Sequence, residues 1–283
     1  MSFATAKDGV KLYYEECGQG TPVVFVHEFA GDYRSWEPQI RAIGRYFRVI
    51  TYSARGYFPS DVPEDRARYS QAHARDDILA VLDRLGIERA HIVGLSMGAF
   101  ATLHLGISSP RRARSLVVAG CGYGAAPGHR EAFRRDSEAV AVRFETEGMP
   151  EVARTYTAAA PRLTYRAKDP RGYAEFVQRM TEHSALGSAN TLRGVQMERP
   201  SLWELVEPLK SIRTPTLVVA GDEDEPSLDA SLFLKRTIPN AALLTLPRTG
   251  HTINLEEPDA FNRALLDFFL AVDEDRWALR DRA

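Results

Sequence analysis

The sequence predicts an α/β protein with a mostly parallel, doubly wound sheet. Short continuous apolar runs alternate along the chain with segments in which apolar residues recur at helical spacing. The runs are typical of strands buried on both faces, and strands that alternate with helices form parallel sheets. This alternation stops between residues 125 and 200, where helical spacing continues without strands. The interruption predicts a helical insertion between two core strands.

The first half of the chain supplies five predicted strands and three predicted helices. Residues 9–17 alternate apolar and polar side chains, as a half-exposed strand does. Continuous apolar runs predict buried strands over residues 22–27, 47–52, 90–95 and 113–120. Helical spacing is found over residues 36–43, 70–85 and 97–109. Gly86 is expected to end the second of these helices.

Residues 125–200 are too long a stretch for a structureless loop in a compact domain. They contain helical patterns separated by glycines and prolines, and no convincing strand. We therefore expect a core made of residues 1–124 and 201–283, with residues 125–200 as a separate helical unit. Beyond it, helices are predicted over 202–212, 228–237 and 259–272, and strands over 216–220 and 242–246.

Composition limits the classes of function. A chain of 283 residues can bury one large α/β core with an insert, and its formal net charge of −2 gives no field for nucleic acid or anionic lipid. Cys17 and Cys121 stand far apart, which argues against a disulfide scaffold or zinc cluster. Neither a signal-peptide pattern nor an apolar run near 20 residues is found. We expect a cytoplasmic protein with a small-molecule substrate and no nucleic-acid or membrane partner; a homodimer is left open.

The stretch 90–100 carries the strongest chemical signal. A buried strand runs into Gly94-Leu95-Ser96-Met97-Gly98, and a helical pattern follows at once. Glycines two residues before and after a serine, between a strand and a helix, are typical of a nucleophile elbow. The turn lifts the Ser96 hydroxyl clear of the sheet and aims the Met97 N–H, at a helix N-terminus, towards the same point.

Two later strands are followed by residues that complement a serine nucleophile. Strand 216–220 leads into Gly221-Asp222-Glu223-Asp224, and strand 242–246 leads into a loop that contains His251. Ligands of such sheets bind outside the carboxyl ends of the strands, so these side chains are expected near Ser96. The order serine, acid, histidine fits this architecture. On the residues alone, both Asp222 and Asp224 remain candidates for the acid.

With these motifs the sequence resembles the α/β-hydrolase superfamily over essentially its whole length. The resemblance implies that the acid lies three residues after the glycine that ends its strand, which selects Asp224. It also implies that Ser96 attacks a carbonyl carbon, that His251 transfers the proton, and that Asp224 orients the imidazole. Members that attack epoxides or carbon–halogen bonds carry aspartate at the elbow, so Ser96 argues against both activities.

The resemblance places the second oxyanion donor in the loop after strand 22–27, where the family commonly has His-Gly-x. This chain has His27-Glu28-Phe29 instead. By position, the Phe29 backbone N–H joins that of Met97 in the oxyanion hole, and Glu28 replaces the glycine. We expect Glu28 to turn outward and hydrogen-bond to its loop. The alternative is that Glu28 binds substrate or carries a proton. His27 is expected to be structural.

The insertion matches the cap domain of the family, with Tyr123 at the entry to a covered, mainly apolar cleft. Such a cleft suits a small, largely apolar substrate. No nucleotide, phosphate or metal motif is found, so neither a cofactor nor a metal is expected. These features predict a serine hydrolase of carboxylic esters, with lactones included. A carbon–carbon bond hydrolase or a perhydrolase of the haloperoxidase type uses the same three residues and stays open, as does a non-catalytic ligand receptor.

Overall fold

The computed structural model describes residues 1–279 and contains an eight-stranded sheet with helices on both faces. The strands occur in the spatial order β1-β2-β4-β3-β5-β6-β7-β8, and β3 to β8 are parallel. Their bounds are β1 Ser2–Thr5, β2 Lys11–Cys17, β3 Pro22–Val26, β4 Arg48–Tyr52, β5 Ala90–Leu95, β6 Ala113–Ala119, β7 Thr216–Gly221 and β8 Ala241–Leu246. The predicted mostly parallel α/β fold is confirmed.

Strand β1 is absent from the sequence prediction. It is four residues long, lies at the sheet edge and pairs antiparallel with β2. A run this short carries too few residues for alternation to distinguish it from a loop. Strand β2 is antiparallel to both of its neighbours, so the parallel part of the sheet starts at β4.

Helices occupy the connections between parallel strands. Those before β6 are α1 Glu37–Ile43, α2 Gln71–Arg84 and α3 Met97–Ser108. Between β6 and β7 lie α4 Arg130–Glu147, α5 Met149–Thr157, α6 Leu163–Lys168, α7 Pro170–Thr181, α8 Ala185–Thr191, a π-helical segment Leu192–Gln196, and α9 Val206–Ser211. The last three are α10 Glu225–Thr237, α11 Ile253–Glu256 and α12 Pro258–Asp273.

The helices differ from the prediction by more than one residue in three places. The segment predicted as one helix over 202–212 is a 3₁₀ turn, Leu202–Leu205, followed by α9. Helix α10 begins at Glu225 rather than 228, because Pro226 sits in its first turn, where a missing N–H costs nothing. Helix α11 has only four residues and was not predicted.

Each buried strand contributes side chains to two cores, one on either face of the sheet. In β3, Val24 and Val26 pack against α2 and α3, while Val23 and Phe25 pack against the α1 and α12 side. This two-residue period explains why the strands are apolar throughout. With both faces covered, the free edge for ligand binding is the carboxyl end of the strands.

The helical insertion, residues 125–200, packs over that edge. Between β6 and β7 the described chain forms helices and no strand. Its buried residues, among them Phe144, Phe176 and Met180, share an apolar cluster with Phe29 and Met97 of the core. The insertion is thus packed directly onto the two loops predicted to stabilise an oxyanion. No helix within residues 1–279 is both long enough and apolar enough to cross a membrane.

Candidate active site

Ser96 stands at the tip of a strained turn between β5 and α3. Its backbone has φ 53° and ψ −112°, a left-handed conformation that a residue with a side chain rarely adopts. The Ser96 N–H donates to the Ala119 carbonyl of β6 at 2.8 Å, and the Phe100 N–H donates to the Ser96 carbonyl. The strain is therefore held by the sheet on one side and by α3 on the other. This geometry is that of a nucleophile elbow.

Gly94 and Gly98 are required by contact rather than by backbone angle. A Cβ atom on Gly94 would lie 2.2 Å from the Gly98 carbonyl oxygen. One on Gly98 would lie 2.1 Å from the Val26 carbonyl oxygen and 2.8 Å from that of His27. The first turn of α3 thus packs so closely against the end of β3 that position 98 has room for a hydrogen atom but not for a Cβ atom.

Gly98→Ala is expected to lower the free energy of unfolding by about 2–3 kcal/mol, because the methyl group must push β3 and α3 apart. Gly128→Ala is the matched control, since nothing lies within 4 Å of its Cβ position and its φ is not in the left-handed region. The control should stay within about 0.5 kcal/mol of the wild type. Equilibrium unfolding in denaturant measures the free energy of unfolding of both variants. Equal values for Gly98→Ala and Gly128→Ala would contradict the predicted effect of the contact.

His251 and Asp224 form a buried pair at the ends of β8 and β7. His251 Nδ1 lies 2.8 Å from Asp224 Oδ2, and both side chains are almost fully buried. A carboxylate only accepts hydrogen bonds, so Nδ1 carries the proton, and Nε2 of the neutral ring holds a lone pair. Burial opposes ionisation of Asp224, but the charge and hydrogen bond of His251, together with the hydroxyls of Ser227 and Tyr123, outweigh burial and lower the pKa of the carboxyl. The carboxylate therefore stays charged and fixes the imidazole tautomer.

Asp222, the other candidate acid, has a different role. Its Oδ1 accepts from the Thr249 N–H at 3.1 Å, and the Glu223 N–H donates to the Thr249 carbonyl. A Cβ on Gly221 would lie 2.1 Å from that same Thr249 carbonyl oxygen. These contacts bind the loop after β7 to the loop that carries His251. Asp222 therefore supports the loop that carries His251. Within the described chain it forms no hydrogen bond with the imidazole.

His27 orients the loop expected to supply the second oxyanion donor. Its Nε2 accepts from the Ala54 N–H at 3.0 Å, so the proton lies on Nδ1, which donates to the Glu28 carbonyl at 2.7 Å. Burial lowers the pKa of His27 to about 4, and the ring is neutral at neutral pH. Because a trans peptide directs C=O and N–H in opposite directions, this bond turns the Phe29 N–H away from His27. His27 is structural in this sense, as the sequence suggested.

Glu28 contradicts the expectation that it turns outward. Its side chain is 2% exposed and forms an ion pair with Nη2 of Arg162, which lies in the helical insertion and is itself buried. The pairing explains the correction, because a buried carboxylate next to a guanidinium is stabilised by charge and hydrogen bonding together. Glu28 is not among the residues that line the central cavity, whereas Arg162 is.

Replacing Glu28 by Gln leaves the Arg162 charge buried without its counter-ion. We expect Glu28→Gln to lower the free energy of unfolding by about 3 kcal/mol. Glu37→Gln removes an exposed ion pair with Arg41 and should cost less than about 1 kcal/mol. Denaturant titration of the wild type, Glu28→Gln and Glu37→Gln measures the two losses of unfolding free energy. A Glu28→Gln protein as stable as the Glu37→Gln control would show that the buried pair contributes nothing.

Consecutive residues of the insertion contact both loops of the site. The Pro161 carbonyl accepts from the His251 N–H at 2.7 Å, and it would lie 2.2 Å from a Cβ on Gly250. Arg162, the next residue, holds Glu28. The insertion therefore holds the loop that carries His251 and the loop after β3 through one short segment.

A cavity of about 260 Å³ opens beside these residues, and Ser96 and His251 both line it. Its walls are mainly apolar, with Phe29 from the core and Phe133, Val140, Tyr156 and Leu192 from the insertion. Tyr123 lines it as well, with its ring edge against the His251 ring at 4.8 Å. Among the aromatic residues of the insertion, Phe133 and Tyr156 line the cavity, whereas Phe144, Tyr165 and Phe176 pack in the apolar cluster.

The sequence analysis missed four polar residues of the cavity, Asp136, Ser137, Arg162 and Gln196, of which the last two matter most for its chemistry. Arg162 and Gln196 both line it, and both side chains are nearly buried. Neither belongs to a motif, and Arg162 lies among other charged residues of the insertion that face solvent. The π-helical segment that ends at Gln196 has no recognisable sequence pattern.

Comparisons with known proteins agree with this fold. A family model described as the alpha/beta hydrolase fold matches residues 21–258. The chain belongs to the α/β-hydrolase family. It is 32% identical to a putative carbamate hydrolase RutD of Azorhizobium caulinodans, over 97% of this chain and all of the relative. It is 29% identical to the 3-oxoadipate enol-lactonase 1 of Acinetobacter baylyi, over 88% of this chain and 89% of the relative.

Solved structures of hydrolases are similar to this α/β-hydrolase over nearly the whole chain. A thermophilic esterase from Thermogutta terrifontis, solved with malate bound, superposes with a TM-score of 0.84 at 26% identity, over 96% of this chain and 98% of the esterase. The family and these relatives indicate that the protein is a hydrolase. They include enzymes named for different bonds, so the reaction must be argued from the site.

Proposed function

We propose that this α/β-hydrolase cleaves carboxylic esters, lactones included, through an acyl-enzyme on Ser96. The observation that carries the proposal is the position of Ser96 and His251 at one cavity, with Asp224 paired to His251. Ser96 stands on a strained elbow, and the Nδ1 of His251 is held by Asp224 so that Nε2 remains available. A base held in this tautomer beside a serine hydroxyl is the arrangement that acyl transfer needs.

In the first half of the reaction, Ser96 Oγ forms a bond to the ester carbonyl carbon while its proton passes to His251 Nε2. Negative charge develops on the carbonyl oxygen. This oxygen accepts hydrogen bonds from the backbone N–H groups of Phe29 and Met97. The carbon–oxygen bond to the leaving alcohol then breaks, and His251 returns the proton to that alcohol. Asp224 stabilises the imidazolium throughout. In a lactone the released alcohol stays attached to the acyl group.

In the second half, a water molecule attacks the acyl carbon. His251 takes one proton of the water, and the second tetrahedral intermediate uses the same two N–H donors. The bond to Ser96 Oγ breaks, Ser96 regains its proton from His251, and the carboxylic acid leaves. The sum is one ester and one water converted to one acid and one alcohol.

The cavity limits the substrate to a small, largely apolar ester. Its volume of about 260 Å³ lies just below the range of ordinary ligand pockets, and most of its walls are aromatic or aliphatic. We propose that the insertion acts as the cap that excludes water and that Tyr123 contacts the substrate beside His251. A direct contact of substrate with Glu28 is not part of the proposal, because Arg162 stands at the cavity in its place.

Labelling with a fluorophosphonate tests the nucleophile. We expect a single phosphonyl adduct on Ser96, located by mass spectrometry of the digested protein, because Ser96 and His251 line the same cavity, whereas the Ser115 hydroxyl next to His91 is fully buried outside it. Ser96→Ala should neither take the label nor hydrolyse p-nitrophenyl esters above the rate of the His251→Ala protein. Full ester hydrolysis by Ser96→Ala would overturn the mechanism.

A substrate panel separates ester hydrolysis from the other reactions open to this triad. p-Nitrophenyl esters, small lactones and a vinylogous diketone are offered to the wild type and to Ser96→Ala. We expect the esters or lactones to be the better substrates, as judged by kcat/KM. Turnover of the diketone alone would indicate carbon–carbon cleavage, and binding without turnover would indicate a receptor.

Asp224→Asn and Asp222→Asn form a matched pair for the acid. Asp224→Asn should lower kcat roughly 10⁴-fold, because an amide can hold the imidazole in the wrong tautomer. Asp222→Asn keeps an oxygen that can accept from the Thr249 N–H, so its kcat should remain near that of the wild type. The reverse ranking of the two kcat values would assign the acid to Asp222.

A further inference from the structure

Two polar side chains of the insertion reach the mainly apolar cavity. Arg162 and Gln196 line it, and each is 5% exposed, so a small part of each residue faces the cavity. Arg162 donates from Nη2 to Glu28, and Gln196 Nε2 has no hydrogen-bond partner within residues 1–279. Buried polar groups in folded proteins nearly always have partners, so this wall of the cavity fits a ligand that carries a polar group of its own.

The local backbone brings Gln196 into the cavity. The Met197 N–H donates to the Leu192 carbonyl at 2.9 Å, an i to i+5 bond that widens the helix over Leu192–Gln196. Both ends of this segment, Leu192 and Gln196, line the cavity. Such π-helical turns occur frequently at functional sites. The amide of Gln196 can rotate to present either donor or acceptor, so the chemistry of the ligand is set by Arg162, whose guanidinium only donates.

Charge decides which acceptor fits. Arg162 is already paired with Glu28, and Asp224 is paired with His251. Asp136, also at the cavity wall, has a largely exposed side chain that lies 4.0 Å from Arg135. A ligand carboxylate would therefore lose its hydration without meeting an unpaired cation among the described residues of the wall. An uncharged carbonyl oxygen accepts from the same donors at a smaller desolvation cost, and the adjacent apolar walls suit its carbon chain.

We propose that Arg162 and Gln196 form a subsite for a second, uncharged carbonyl of the substrate, a ketone or amide oxygen outside the ester that is cleaved. The substrate class is thus an ester or lactone whose chain carries an oxo or amide group. This inference rests on the proposed function, because it takes the reacting ester to lie at Ser96. It adds a specificity determinant that the catalytic residues do not supply.

The test compares pairs of esters that differ by one oxygen. Phenyl pentanoate is paired with phenyl 3-oxopentanoate and phenyl 4-oxopentanoate, and butyl acetate with 3-oxobutyl acetate, which places the oxo group on the alcohol side. For the best-placed oxo group we expect wild-type kcat/KM to exceed that of the plain ester roughly tenfold, after correction for the uncatalysed rates. Equal values across all pairs would overturn the proposal.

Two substitutions assign the preference to Gln196. Gln196→Leu should bring the ratio of the two kcat/KM values close to one, and Gln196→Glu should bring it below one, because a carboxylate repels the carbonyl oxygen. A general loss of folding or catalysis lowers both rates and leaves their ratio intact. Gln178→Leu, on the exposed side of α7, is the control and should keep the wild-type ratio. An unchanged ratio in both Gln196 variants would contradict the subsite.

Binding to Ser96→Ala separates this inference from the proposed function. Each ester pair is titrated into that variant by calorimetry, with and without the Gln196→Leu substitution. Failure of the wild type to hydrolyse any ester would overturn the proposed function alone. Tighter binding of the oxo ester, lost in Gln196→Leu, would still support the subsite, and equal dissociation constants would refute it.

Discussion

The close contact between the first turn of α3 and the end of β3 is the constraint on which the site depends. Gly98 lies so near the Val26 and His27 carbonyls that any larger residue would separate the two elements. The same contact brings the Met97 N–H next to the loop that carries the Phe29 N–H. Ser96, between β5 and α3, has a left-handed backbone conformation that hydrogen bonds to β6 and within α3 hold in place. In the proposed reaction, the positions of the nucleophile and of the Met97 donor thus depend on one contact.

A second set of contacts acts from the opposite side. Pro161 and Arg162 of the insertion hold the His251 loop and the Glu28 side chain, while His27 holds the Glu28 carbonyl. Glu28 is therefore fixed at both its backbone and its side chain. In the proposed reaction the donor next to it must keep its direction while charge develops, and a loop with few degrees of freedom meets that requirement. A glycine at position 28 would leave the loop with only the backbone bond.

The fold, the pairing of Asp224 with His251 and the position of His251 at one cavity with Ser96 were accessible from sequence because their signals are local. Buried parallel strands are apolar throughout, the elbow needs glycine on both sides of Ser96, and each of Asp224 and His251 follows directly on a strand. The position of Glu28 was not accessible. Its partner Arg162 lies 134 residues away, and nothing in the sequence distinguishes that arginine from the exposed ones around it. The position of Gln196 could not be predicted because a π turn depends on packing from other elements. Strand β1 could not be predicted because four residues form too weak a pattern.

The Glu28–Arg162 pair also limits how freely this hydrolase can exchange parts with its relatives. An insertion between β6 and β7 is a natural segment to exchange between related proteins, because it joins the core at only two points of the chain. Here the insertion carries half of an ion pair whose other half belongs to the core, so a foreign insertion would confront a buried carboxylate without its cation. Position 28 must therefore travel with the insertion in any chimera. The unit that can be exchanged is therefore larger than the helices of the insertion, because it also includes Glu28 in the loop after β3.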